Sequence, residues 1–303
     1  MFQHPLLRGW RPTKPYQVTL AAILLMVSGI VSFNSSALAK KLVKEGASPG
    51  KLRLQKAKVA GASRYALAVP TAAPTSSEPQ QTDPLDSPHP VPWNWILTTQ
   101  EQVSSAKGAG VRFYRTPSLV SPDGQYAAYS RIQIQVKSEM YKSRVSSVMF
   151  VENLATGNLR TVSANSPLAN NPLKKNEPAD MLGVISILMP VSWSQKGDRL
   201  LARQFEGQFN TSDASDYAVV WDRQQNRAKT LSPSKIEYSQ AVLLGWSQTK
   251  PDQVLFRAGE LGDVKPPLWA VNLGGQTVAA KKDQPIVFGR SVANTWAGPQ
   301  AHW

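Results

Sequence analysis

Cysteine is absent from this chain of 303 residues, and histidine occurs only three times. Without cysteine the fold cannot rest on disulfide bonds, so a hydrophobic core has to stabilise it. The histidines are His4, His89 and His302, which leaves the long stretch between the last two without one. This absence excludes Ser-His-Asp catalysis, Cys-His catalysis and the usual zinc ligand sets from that stretch. We therefore expect no enzymatic activity, no metal and no other cofactor.

Carboxylates are the remaining groups that could carry chemistry. Asp213 and Asp216 lie close together in a polar stretch that the pattern places between two strands. Paired acids beside a serine hydroxyl can hold Ca²⁺ through oxygen ligands, but this spacing matches no calcium loop. We interpret both as solvated loop residues. A hydrolase that uses a carboxylate pair stays open as an alternative to a purely binding role.

The first 39 residues have the pattern of a secretory signal peptide. Arg8, Arg11 and Lys14 precede an apolar run over residues 18–33, and an Ala-Leu-Ala sequence follows at 37–39. This order of basic, apolar and small residues predicts cleavage after Ala39 and export to a periplasm, an envelope or an internal lumen. The alternative is an uncleaved membrane anchor, although a spanning helix usually needs about 20 apolar residues.

Residues 40–92 are predicted to form a disordered linker. The first half is basic, with eight Lys and Arg against one acid over residues 40–64, and the second half is rich in Pro, Ser and Thr. Such a segment buries too little apolar surface to offset its ordering entropy, and proline favours an extended chain. The basic half, which includes Lys40, Lys41 and Lys44, is either a solvated tether or an attachment to an anionic membrane surface or wall polymer. Nucleic acid is not expected as a partner of an exported protein.

A Ser-x-x-Gly pattern occurs three times in the rest of the chain. The copies stand at 121–124, at 194–197 and, in a looser form without the glycine, at 247–252. Each copy lies between two apolar, β-rich runs, and two further strand-like runs follow it. Aspartates at 123, 198 and 252 fit the turns, where they satisfy backbone groups. Each unit therefore predicts four short antiparallel strands, as in a propeller blade.

These repeats resemble the TolB-type, WD-repeat-like β-propeller family over roughly residues 111–285. The Ser-Pro-Asp-Gly turn of that family is complete at 121–124, and its tryptophan is present before the second and third turns as Trp193 and Trp246, with Val120 at the first. The resemblance implies an all-β, propeller-like domain of three to four blades, which we place at 93–303. It also implies a non-enzymatic protein-interaction scaffold of the cell envelope. The alternative is a carbohydrate- or cell-wall-binding propeller that uses exposed tryptophan.

Three complete units do not close a propeller ring. The run at 285–289 is predicted to open a fourth unit, and the run at 93–99 could supply a further strand. Whether the ring closes within one chain or by oligomerisation stays open.

Tryptophan and lysine supply the candidate interaction residues. Trp193, Trp246 and Trp296 occupy related positions and are predicted to pack between blades, as are Trp221 and Trp269 of the third strands. Trp93 and Trp95 either pin the linker onto the domain or belong to a partner surface. Lys174 and Lys175 lie in an insertion over 165–183, which is a contact surface or a passive loop.

Overall fold

The computed structural model describes residues 83–106, 108–169 and 182–300. The predicted signal peptide, the linker up to residue 82 and five candidate residues lie outside the described residues; the five are Lys40, Lys41, Lys44, Lys174 and Lys175. No helix in the described part of the chain is long and apolar enough to cross a membrane.

Strands dominate the described residues, which confirms the all-β prediction. The elements are a 3-10 helix at Met140–Lys142, α1 (Trp93–Ser105), β1 (Gly110–Arg115), β2 (Ser118–Val120), β3 (Tyr126–Val136), β4 (Arg144–Asn153), β5 (Leu159–Val162), β6 (Val184–Trp193), β7 (Arg199–Gln208), β8 (Ala214–Asp222), β9 (Arg227–Leu231), β10 (Gln240–Ser247), β11 (Val254–Gly259), β12 (Leu268–Val271), β13 (Thr277–Ala279), β14 (Pro285–Ile286), β15 (Arg290–Val292) and β16 (Gly298–Pro299).

The strands form three four-stranded antiparallel units at the positions that the repeats predict. Unit 1 contains β2 to β5, unit 2 contains β6 to β9, and unit 3 contains β10 to β13, each paired in chain order. Units 1 and 2 share an eleven-stranded sheet, and unit 3 lies in a five-stranded sheet. A single parallel pairing, Val145 with Ile185, joins units 1 and 2.

The recurrent serine organises the turn between the first two strands of each unit. The serine hydroxyl accepts a backbone N–H from Tyr126 at the first turn, from Arg199 at the second and from Lys250 at the third. The glycine of the first two turns has a φ of 69° and 71°, and Asp252 takes this left-handed conformation at the third, with φ 68°. Aspartate tolerates it better than most residues, so the looser third copy still forms a turn.

Buried tryptophans connect neighbouring units. Trp193 of unit 2 donates its indole N–H to the Leu119 carbonyl of unit 1 at 3.0 Å. Trp246 of unit 3 donates to the Trp193 carbonyl at 2.9 Å. Both side chains are buried, so the prediction of packing between units is confirmed for this pair. It is wrong for Trp296, which is 68% exposed in a turn near the C-terminus.

The C-terminal strap, which we define as residues 285–300, differs from the predicted opening of a fourth unit. It pairs first with β10 of unit 3 through β14, then bridges Trp193 of unit 2 through Phe288, and then pairs with β2 of unit 1 through β15. Gly289 lies between these contacts with φ 105°, and a Cβ at this position would lie 2.8 Å from the Val120 carbonyl oxygen. The first strands of all three units are therefore held together by one segment.

The N-terminal part of the described chain also departs from expectation. Residues 83–92, which we assigned to the linker, place Leu85 and Val91 in a core cluster shared with strands of all three units. Residues 93–99 belong to helix α1 and not to a strand. The helix buries Ile96 and Thr99, which lie three residues apart on one helical face. The domain therefore includes residues before Trp93.

Candidate interaction surface

The two tryptophans proposed as a site have different environments. Trp93 packs against Phe209, with ring centroids 6.2 Å apart, and against Phe205 at 6.3 Å. It thereby fixes α1 onto the core. Trp95 tilts against Tyr114 at 5.3 Å and lines an open cleft of about 680 Å³ between α1, β1 and the strap. About half of the other residues lining this cleft are polar; these include Asn94, Thr98, Gln102, Arg112 and Gln300.

A buried charged cluster holds residues 83–91 against the sheet. Arg203 of β7 donates from Nη1 to Asp83 Oδ2 and from Nε to Asp216 Oδ1, both at 2.7 Å. The Arg203 Nη1 also donates to the His89 carbonyl oxygen at 2.7 Å. Asp83 also accepts the backbone N–H of Leu85, Ser87 and Val91. One guanidinium thus fixes a segment that lies 120 residues away in sequence.

The cluster contains two carboxylates and one guanidinium, so it carries an excess negative charge in a buried place. Burial raises the pKa of Asp216 to about 6, against the opposing effect of Arg203. Burial acts in the same direction on Asp83, but hydrogen bonds from Arg203 and the backbone outweigh it and lower that pKa. Burial also lowers the pKa of His89, whose Nε2 lies 3.0 Å from the Leu244 carbonyl oxygen.

This geometry revises the interpretation of the paired acids. Asp216 lies in β8, where it is buried and bound to Arg203, while Asp213 is exposed in the preceding loop. Asp216 is therefore not a solvated loop residue. Within 83–106, 108–169 and 182–300, no three acidic or histidine side chains come together as a metal would require.

The outer face of unit 1 carries several aromatic and cationic side chains that point away from the core. Along β3 the buried residues include Ala128, Ile132 and Ile134, so the residues between them project to the opposite side of the sheet. We define the outer face of unit 1 as this side of β3, of β4 and of the adjacent strand β1, which pairs with β3. Its residues are Phe113, Arg115, Tyr129, Arg131, Gln133, Gln135, Arg144, Val148 and Phe150.

Arginines and rings interleave on this face. The Arg115 guanidinium lies 3.8 Å from the centre of the Tyr129 ring, and Tyr129 stacks with Phe150 at 5.4 Å. Arg131, which is exposed, lies 5.0 Å from the centre of the Phe113 ring. Such cation–π contacts orient the guanidinium group without neutralising its charge.

The arginines of the outer face lack acidic partners. The ion pairs of the described residues involve other arginines and one lysine, and none includes Arg115, Arg131 or Arg144. The Arg144 Nε is buried without a hydrogen-bond partner among the described residues. This surface therefore presents positive charge that the described part of the chain does not neutralise.

No protein-family model matches the chain, and no curated protein matches it. The geometry of the described residues therefore has to carry the functional argument.

Sequence reasoning missed Arg203, Arg115 and Arg131. Arg203 lies within an otherwise mostly apolar strand, β7, and its neighbours on both sides are buried. A charged residue inside such a run indicates a buried ion pair. Arg115 and Arg131 become neighbours only through the pairing of β1 with β3, which no local pattern specifies.

Proposed function

We propose that this chain is a non-enzymatic protein-interaction scaffold of the cell envelope, exported by its N-terminal signal and built as a propeller-like array of three blades. Two features support the propeller-like arrangement of units 1 to 3. Trp193 and Trp246 make equivalent indole-to-carbonyl bonds between successive units, and the C-terminal strap connects the first strand of each unit. Both features link successive units in chain order, and both agree with the resemblance to TolB-type propellers.

The observation that carries the proposal is the outer face of unit 1. The opposite side of the same strands is buried, with Ile132, Ile134 and Met149 in core clusters. The outer side leaves Phe113, Tyr129 and Phe150 only half-buried, beside exposed Arg131. Aromatic residues and arginine are the residue types enriched where proteins bind one another.

The basic N-terminal segment suits this role as a tether. Residues 40–64 carry eight basic residues and one acid. Each Lys or Arg contributes about 1 kcal/mol of binding free energy near an anionic surface at low salt. The segment would hold the β-domain close to a membrane or wall while the folded part binds its partner.

A carbohydrate-binding role is the second candidate, and the cleft beside α1 favours it. Trp95 stands there among amide and hydroxyl side chains, including Asn94, Thr98 and Gln102. Sugars are bound by this combination of an aromatic ring and polar hydrogen-bonding groups.

Photo-crosslinking in intact cells tests the protein-interaction role. A photoreactive phenylalanine analogue replaces Gln133 on the outer face in one variant and Lys229 of β9 in a control variant. We expect discrete crosslinked products with envelope proteins from the Gln133 position. A glycan array with purified protein is the counter-test. Binding to glycans that a Trp95→Ala substitution abolishes, together with no protein crosslink from either position, would favour the carbohydrate role.

A further inference from the structure

We infer that the outer face of unit 1 binds an acidic, extended segment of a partner protein, with Arg115 and Arg131 as the carboxylate-binding pair. This inference rests on the proposed function and names the chemistry of the partner.

The two arginines lie opposite one another on neighbouring strands. Arg115 of β1 and Arg131 of β3 are direct cross-strand neighbours in the antiparallel pairing. Like charges opposite one another on the same side of a sheet destabilise it. Neither arginine has a carboxylate partner among the described residues. The two guanidinium groups lean toward different rings, Arg115 toward Tyr129 and Arg131 toward Phe113. A carboxylate beside either one would reduce the repulsion and gain charge-assisted hydrogen bonds.

Both guanidinium groups are positioned by neighbouring side chains and remain charged. Arg115 donates hydrogen bonds to the Thr116 carbonyl, to Ser118 Oγ and to Asn294 Oδ1, and it stacks on Tyr129. These contacts fix its position without neutralising it. Arg131 contacts the Phe113 ring and makes no hydrogen bond through its side chain to a described residue, so its planar N–H groups remain available. A carboxylate is the group whose two oxygens match that planar fork.

The packing of the Tyr129 ring favours a protein segment over a sugar or a nucleic acid as the ligand. β3 runs between β1 and β4, so Arg115 approaches Tyr129 from one side and Phe150 from the other. The faces of the Tyr129 ring are thus already covered, which removes the stacking platform that a base or a sugar ring would use. Half-buried Phe113 and Phe150 leave apolar surface beside the charges, which suits aliphatic or aromatic side chains that flank an acid.

The distance along β3 between Arg131 and Arg144 predicts the spacing of acidic residues in the partner segment. Arg144 pairs with Gln135, four residues along β3 from Arg131. In an extended chain four residues span about 13 Å, at about 3.3 Å per residue. A partner segment that runs along β3 would therefore place a second acidic residue four positions from the first, near the half-buried Arg144, which has no acidic partner among the described residues.

Binding of a synthetic peptide to the purified full-length protein tests the inference. The peptide carries two glutamates four positions apart, and the three residues between them are valines and threonines. A matched peptide has lysine in place of both glutamates. We expect the acidic peptide to bind and to shift the backbone NMR signals of β1, β3 and β4. Arg131→Glu should weaken binding about tenfold or more, because a charge-assisted pair becomes a repulsive one.

Arg227→Glu is the control, since it makes the same charge change at an exposed arginine of β9. It should leave the affinity within about twofold, as expected for a distant screened charge. The lysine peptide should bind Arg131→Glu better than the unsubstituted protein.

Three outcomes would overturn the inference. The acidic peptide fails to bind; or Arg131→Glu and Arg227→Glu weaken it equally; or heparin or a single-stranded oligonucleotide binds in an Arg131-dependent way while the peptide does not. The crosslinking experiment separates this failure from failure of the proposed function. Protein crosslinks from Lys229 and none from Gln133 would retain the scaffold role and reject this surface. No protein crosslink from either position would reject both.

Discussion

Replacing Arg203 by methionine should be strongly destabilising. Methionine retains much of the apolar stem but removes the guanidinium that contacts Asp83, Asp216 and the His89 carbonyl. Two carboxylates are then left buried without a cation. Removing one partner of a buried ion pair typically destabilises a protein by about 3–5 kcal/mol. We expect Arg203→Met to fall at the upper end of this range near pH 7, because one substitution leaves two carboxylates without their partner.

Arg223→Met is the matched control. Arg223 forms an ion pair with Asp123 at 2.8 Å, nearly the same distance, but both side chains are more than a quarter exposed. Such surface pairs contribute about 0.2–1 kcal/mol. Both substitutions remove a guanidinium, but Arg203 has two buried carboxylate partners and Arg223 has one partly exposed carboxylate. The difference between them therefore measures the combined effect of burial and of the second carboxylate.

Urea unfolding followed by tryptophan fluorescence gives the free energies, and amide hydrogen exchange gives the location of the effect. In Arg203→Met the amides of Leu85, Ser87 and Val91 should exchange faster, because their acceptor Asp83 loses its anchor. If Arg203→Met and Arg223→Met destabilise equally, or if those amides keep their protection, Arg203 does not hold residues 83–91 in place.

Three further predictions concern the same fold. Trp193→Phe should lower the free energy of unfolding by about 1–3 kcal/mol because the half-buried Leu119 carbonyl loses its donor. Urea unfolding of this variant and of Trp296→Phe, which should have little effect, checks the prediction. A chain that starts at Trp93 should melt well below one that starts at residue 81, since it lacks Leu85, Val91 and Asp83; equal melting temperatures would place residues 83–92 outside the fold. The unfolding free energy of His89→Gln should rise as pH falls from about 6 toward 4. Burial raises the pKa of Asp216 to about 6 in the folded protein, whereas in the unfolded chain this carboxyl has its ordinary pKa of 3.8, so the folded state binds the extra proton between these values. The histidine is removed because burial lowers its pKa from 6.5 and opposes this trend below that pH; a flat or falling profile would contradict the assignment to Asp216.

The repeats were predictable because their signals are local. A serine, a glycine with positive φ and alternating apolar residues act within about ten residues of one another, and they were sufficient to place the turns and four strands in each unit. The same reasoning predicted the burial of Trp193 and Trp246, which stand at the same point of the repeat.

The N-terminal end of the domain was mispredicted for a physical reason. Trp93 and Trp95 alternate as in a strand, and the prolines before them favour a linker. The burial of Ile96 and Thr99 against the sheet selects the helix, and that surface exists only once the units have assembled. Trp296 was mispredicted because the strap does not form a fourth unit. It pairs with β10 and β2 instead, and this leaves Trp296 exposed in a turn.

The sequence by itself determined the β-rich class, the repeated unit and the positions of its turns, because each depends on residues close together in the chain. Only the tertiary structure decided that residues 83–91 are held by Arg203, that the strap joins the three units, and that Arg115 and Arg131 lie side by side without an acid. These features depend on contacts between residues far apart in sequence, and such contacts form only when sheet register and packing bring the strands together.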